Sequence, residues 1–140
     1  MILRSGCPLN IALELVGDKW SLLIIRDLLN NKSTFSEFLQ SNEAIAKNIL
    51  SARLKKLMKF KIIDFRHPKE NNKVKIYFLT KKGQDLYPVM VELILWTDKH
   101  SSKLIHTGSK VLGEIKKKGK DKFVKTKISN YKLKLEKVVF

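Results

Sequence analysis

The chain has 140 residues, 44% of them hydrophobic, enough to bury one modest core and not two. Its 29 basic and 13 acidic side chains give a formal charge of +16, an excess that points to a polyanionic partner, either a nucleic acid or an anionic membrane surface. The longest wholly apolar runs, "LLII" and "LILW", exclude a membrane-spanning helix. The single cysteine, Cys7, excludes an intramolecular disulfide and fits a reducing cytoplasm. Arg4 interrupts the short apolar stretch before that cysteine, so "MILRSGC" does not read as a lipoprotein signal.

Pro8 can open a helix without sacrificing a hydrogen bond, and "PLNIALELVG" carries apolar residues at helical spacing up to Gly17, a natural stop. Asp18 is placed to cap the next helix, "KWSLLIIRDLLNN", whose apolar circumference predicts burial. Thr34 and Glu37 have the spacing of a capping box, so a short third helix begins at "TFSEFLQ". The turn "SNEA" leads into a fourth helix, "AIAKNILSARLKKLMK", from Ala44 to Lys59. Beyond it the pattern alternates. "IIDFRH" and "KVKIYFLT", rich in β-branched and aromatic residues and separated by "PKENN", predict a β-hairpin with a basic tip. A fifth helix, "KKGQDLYPVMVELILWTDKH", should kink or break near Tyr87, because Pro88 lies inside it. From about Gly108 lysines alternate with single aliphatics, which is compatible either with a marginal helix packed on a partner or with a mobile basic tail.

Charge follows this division. Residues 1–44 have a net charge of −1, residues 45–82 a net of +10 and residues 83–140 a net of +7. On a helical wheel Ala46, Ile49, Leu50, Leu54 and Leu57 share one sector of the fourth helix, and Lys47, Asn48, Ser51, Lys55 and Lys59 the opposite one. Lysines suit phosphates and guanine edges, and Asn48 suits an adenine edge. A solvated lysine face is the ordinary alternative. Against it stand a capped helix and turn directly before and a basic hairpin directly after, the order of a winged helix-turn-helix. In that architecture Arg66, Lys69, Lys73 and Lys75 become wing contacts to the backbone. Arg53 falls on the core side, where a salt bridge is expected, with Glu37 the candidate partner.

"CPLNIALELVGDKW", "FSEFL", "IAKNILSARLKKL", "YFLTKKGQDLYPV" and "LILW" resemble the HxlR-type regulators, a winged-helix branch close to the MarR group, over roughly residues 7–100. The resemblance implies an α+β, mainly helical fold. It also implies a homodimer joined through the N-terminal and long C-terminal helices, binding double-stranded DNA at a pseudo-palindromic operator. Two positions depart from the family pattern: Lys61 stands where a glycine is usual, and Thr34 where an arginine is usual. The former requires either a left-handed lysine or a different helix end.

Cys7 precedes Pro8 at the start of the first helix, where the helix dipole favours a thiolate. The resemblance adds that some relatives with a cysteine there respond to oxidants or electrophiles, which makes Cys7 a candidate redox sensor, against the alternative of an inert, partly buried thiol. His67, His100 and His106 lack metal-ligand spacing, no phosphate-binding glycine loop is present, and Trp20 and Trp96 fit core or dimer packing. No enzyme, metal or cofactor is expected. The sequence thus predicts a cytoplasmic DNA-binding regulator with a winged-helix and dimerisation domain over 1–106 and a lysine-rich extension over 107–140. The rival reading is a non-specific nucleic-acid or architectural binder driven by that extension. A small-molecule effector between dimer helices is left open, since its apolar lining would also serve the core.

Overall fold

A computed structural model describes residues 1–106 and 108–138. Two compact units divide the chain, Met1–Gly83 and the segment from Gln84 onward. In the first, α1 (Pro8–Val16), α2 (Ser21–Leu29), α3 (Phe35–Leu39) and α4 (Lys47–Lys59) precede a hairpin of β1 (Ile63–Arg66) and β2 (Ile76–Leu79), and α5 (Lys81–Gln84) follows. The hairpin is antiparallel, with Ile63 opposite Leu79 and Arg66 opposite Ile76. This is the winged helix-turn-helix, mainly helical with two strands.

The elements form for local reasons. Pro8 occupies the first turn of α1. Thr34 Oγ1 accepts from the Glu37 N–H while the Glu37 carboxylate accepts from the Thr34 N–H, closing the expected capping box on α3. α2 is buried through Ile24, Ile25, Leu28 and Leu29, and against it lie Phe38 of α3 and Leu50, Leu54 and Leu57 of α4 in the same core. The hairpin completes that core with Ile63, Tyr77 and Leu79, and the Tyr77 N–H reaches the Ser33 carbonyl at 2.8 Å. Phe38 and Tyr77 pack with ring centroids 6.1 Å apart.

Two helices end in the same way. The Ile62 N–H donates to the Leu57 carbonyl at 2.9 Å and the Lys61 N–H to Met58 at 3.0 Å, a Schellman closure that requires a left-handed residue, and Lys61 supplies it at φ 57°. At the end of α2, Lys32 donates to Asp27 and Asn31 to Leu28, with Asn31 at φ 70°. Asparagine tolerates this conformation far better than lysine does. Lys61→Gly is therefore expected to stabilise the protein by about 1 kcal/mol, seen as a raised denaturant midpoint at unchanged slope.

The fourth helix starts later than its propensity indicates. Ala44 is left-handed at φ 55°, its N–H bonded to the Ser41 carbonyl, and Ala46 is the N-cap. Ala44, Ile45 and Ala46 belong to the turn, and Ala46 is exposed rather than part of the core face.

The second unit contains α6 (Tyr87–Ser101), a short 3-10 turn (Ser102–Leu104), α7 (Lys110–Lys118) and α8 (Lys120–Val138). The predicted fifth helix is broken, with Pro88 in the first turn of α6, where its missing N–H costs nothing. The lysine-rich segment is helical: Leu112, Ile115, Phe123 and Tyr131 are buried together with Tyr87, Met90 and Val91 of α6. Burial pushes the Tyr87 phenol up to about 12, with the Glu114 charge acting in the same direction. No helix among the described residues is long and apolar enough to cross a membrane.

Candidate nucleic-acid interface

α4 has 13 residues and a length of about 20 Å. Leu50 and Leu57 are 0% exposed and Leu54 is 2% exposed, so the helix is seated firmly along one side. Lys47, Asn48 and Lys55 are exposed on the other side, with Ser51 half-buried between them. Their spacing places all four within about 100° of helix circumference. Lys47 and Lys55 form no ion pair among the described residues, and both ammonium groups remain available to an anion.

The wing is built at the tip of the hairpin. The Asn71 carboxamide accepts the Lys73 N–H at 2.9 Å, and the His67 ring nitrogen Nδ1 lies 2.9 Å from the Val74 carbonyl, which ties the two sides of the loop together. Lys69 and Lys73 are exposed on this loop. Lys75, also exposed, holds its ammonium 4.6 Å from the centroid of the Phe65 ring, a cation–π contact that limits its reach. Arg66 is different in kind: it sits within β1 and is half-buried.

Arg53 does form a salt bridge, but with Asp18 and not with Glu37, whose carboxylate is engaged in the α3 cap. Arg53 Nε donates to Asp18 Oδ1 at 2.9 Å, and Lys56 Nζ is 3.9 Å from Asp18 Oδ2. Asp18 also accepts from the Trp20 and Ser21 N–H groups and from the Ser21 hydroxyl, so one carboxylate both caps α2 and holds the protein-facing side of α4. Burial opposes its ionisation, yet the hydrogen bonds from Ser21, Trp20 and Arg53 outweigh burial and keep its carboxyl below the ordinary aspartate value.

A second network fixes the turn before α4. Arg26 donates to Glu43 at 2.6 Å and to Asp27 at 2.9 Å; the buried Asp27 accepts the Ser41 hydroxyl, which accepts Lys32 Nζ at 2.7 Å. Pairing with Arg26 holds the Glu43 carboxyl below its usual range, and Glu43 in turn raises the arginine. The sequence reading missed this network, whose members lie up to 17 residues apart; the available signal was the adjacent pair Arg26 and Asp27 inside a mainly apolar helix.

Cys7 is the N-cap of α1 and is exposed. Trp20 is half-buried, whereas Trp96 is 60% exposed on α6 with Val89 and Leu93 at 51% and 50%. His100 packs against Trp96 with centroids 5.3 Å apart. No cluster of metal-binding side chains occurs among the described residues.

Comparison with known proteins agrees with this geometry. Residues 15–105 match the HxlR-like helix-turn-helix family. The HTH-type transcriptional regulator YodB of Bacillus subtilis is 33% identical over 96 residues, covering 68% of this chain and 86% of YodB. An HTH-type transcriptional regulator of Mycobacterium tuberculosis, Rv3095, is 35% identical over 96 residues, covering 69% of this chain and 60% of the relative. Among solved structures, PA1607 superposes with a TM-score of 0.63 at 33% identity, over 76% of this chain and 71% of the other. Reduced YodB superposes with a TM-score of 0.58 at 32% identity, over 69% and 96%; YodB has also been solved quinone-bound and after diamide treatment. The exposed basic face of α4, the hairpin wing and the helical order thus converge with sequence similarity on one conclusion: the chain belongs to the HxlR-like helix-turn-helix family, the transcriptional regulators whose partner is DNA.

Proposed function

We propose that this regulator acts in the cytoplasm as a homodimer that recognises a pseudo-palindromic operator. The observation that carries the reading is α4 itself, buried along Leu50, Leu54 and Leu57 and open along Lys47, Asn48, Ser51 and Lys55. Lys47 and Lys55 meet phosphates or guanine edges, Asn48 reads an adenine edge and Ser51 approaches the base step between them. Lys69 and Lys73 hold flanking phosphates from the wing tip, with Lys75 and Arg66 nearer its base. Asn48→Ala should relax base preference at one operator position by about 1–3 kcal/mol, measured by selection of binding sequences from a randomised pool. An unchanged ranking of operator variants removes Asn48 from the reading set.

Dimerisation is supported by the apolar surface. Val89, Leu93 and Trp96 occupy positions i, i+4 and i+7 of α6, and Leu9 and Leu13 positions i and i+4 of α1, all at least half exposed in the single chain. Redox control through Cys7 is supported by its exposure at the mouth of α1 and by the likeness to YodB, a protein solved in reduced, quinone-bound and diamide-treated forms. With Cys7 oxidised by diamide, operator affinity should fall at least about tenfold and recover on reduction, and Cys7→Ser should be indifferent. Unchanged affinity with the thiol titrated to zero ends the sensor reading.

A further inference from the structure

We propose that the corner between α7 and α8 is a second, sequence-independent DNA-contact surface, in which Lys117, Lys118, Lys122 and Lys125 bind backbone phosphates. The inference rests on the DNA-binding role of the reading head and adds to it a part of the chain outside the family match, which ends at residue 105.

The second unit needs its apolar residues and two of its lysines internally. Phe123 and Tyr131 of α8 and Leu112 and Ile115 of α7 are buried. Lys116 pairs with Asp98 at 3.0 Å and Lys120 with Glu92 at 2.7 Å, which ties the corner to α6. Those two bridges use both α6 acids near the corner. Lys117, Lys118, Lys122 and Lys125 are exposed, form no ion pair among the described residues, and share the stretch 116–125 with one carboxylate, Asp121. Over residues 107–140 eleven lysines face three acidic residues.

Like charges at this density repel one another, and a polyanion relieves the repulsion. At half-buried Lys127 burial pushes the amine down, Glu114 opposes it, and the Lys134 and Lys110 charges add to the lowering. DNA fits this surface better than a bilayer does. An interfacial helix inserts an apolar face, and the large aromatics of α8 are already spent on the unit's own core. Phosphate contacts of this kind carry no contribution from base identity.

The test uses the full chain and a mixed-sequence DNA duplex, with binding followed by fluorescence anisotropy at a series of salt concentrations. The variant Lys117→Gln/Lys118→Gln/Lys122→Gln/Lys125→Gln should flatten the slope of log affinity against log salt by about 3.6 units, near 0.9 for each of the four lysines. The base preference selected by the reading head should be unchanged. A flattening of less than about 2 units overturns the proposal. So does a variant that loses binding to phosphatidylserine vesicles while keeping the wild-type DNA slope. If the quadruple variant does not fold, Lys122→Gln and Lys125→Gln alone should each flatten the slope by about 0.9 units, and an unchanged slope in both overturns it. Failure of the reading head is separable: there Asn48→Ala leaves the selected sequence unaltered, while the slope change at the corner persists.

Discussion

On the proposed homodimer, with the apolar face of α6 at its interface, Trp96→Glu is expected to leave the fold of the single chain intact and to convert the protein to a monomer with at least about 100-fold weaker operator binding. Trp96 is 60% exposed, so the single chain loses little packing when the indole is removed. A dimer loses far more. Large aromatics at the centre of an interface are the side chains whose loss costs most, and a buried unpaired carboxylate adds its desolvation to that loss. With two half-sites no longer engaged by one particle, the gain from effective concentration disappears. Sedimentation velocity reports the oligomeric state and anisotropy the affinity; a dimeric Trp96→Glu protein with wild-type affinity would place the interface elsewhere.

Asp18→Ala has the second large effect, on stability and recognition together. It removes the acceptor for two α2 N–H groups, leaves the hydroxyl of the fully buried Ser21 without its partner and releases Arg53. The lost cap and the unsatisfied groups together cost about 2–4 kcal/mol, to which the half-exposed Arg53 pair adds little. Because Arg53 and Lys56 tie the protein-facing side of α4 to Asp18, the aim of the outer face of α4 also loosens. DNA affinity should therefore fall even where the variant is still folded.

The pH dependence has a definite sign. The folded-state value of Asp18 lies below its unfolded value of about 3.9, so the stabilisation is complete above that pH and is lost as pH falls through the lower folded value. Urea unfolding of wild type should weaken below about pH 4 by more than that of Asp18→Asn, and parallel curves would refute the assignment.

Which features were legible in the sequence follows from the range of the forces involved. The α3 capping box, the Pro8 and Pro88 helix starts and the apolar sector of α4 are set by neighbours within four residues. The departure at Lys61 was flagged by the family resemblance alone, which left open a left-handed lysine or a different helix end, and the Schellman closure decided for the left-handed lysine. The Arg53 partner was not. Asp18 and Glu37 both precede α4, and only the packing of α1, α2 and α4 decides which carboxylate faces the guanidinium, 35 residues away in the case of Asp18. The late start of α4 belongs with it: the helix propensity of Ala44 is overruled by the turn that the Arg26, Asp27, Ser41 and Glu43 network holds in place.

By itself the sequence determined the order of helices and strands, the polarity of α4 and the basic charge of the chain, since periodicity, capping and composition are local or additive. Only the tertiary structure decided that the lysine-rich extension is helical and which of its lysines stay free. A helix so rich in like charges is marginal alone, and the burial of Phe123 and Tyr131 beside Tyr87 and Val91 supplies the apolar contact that stabilises it.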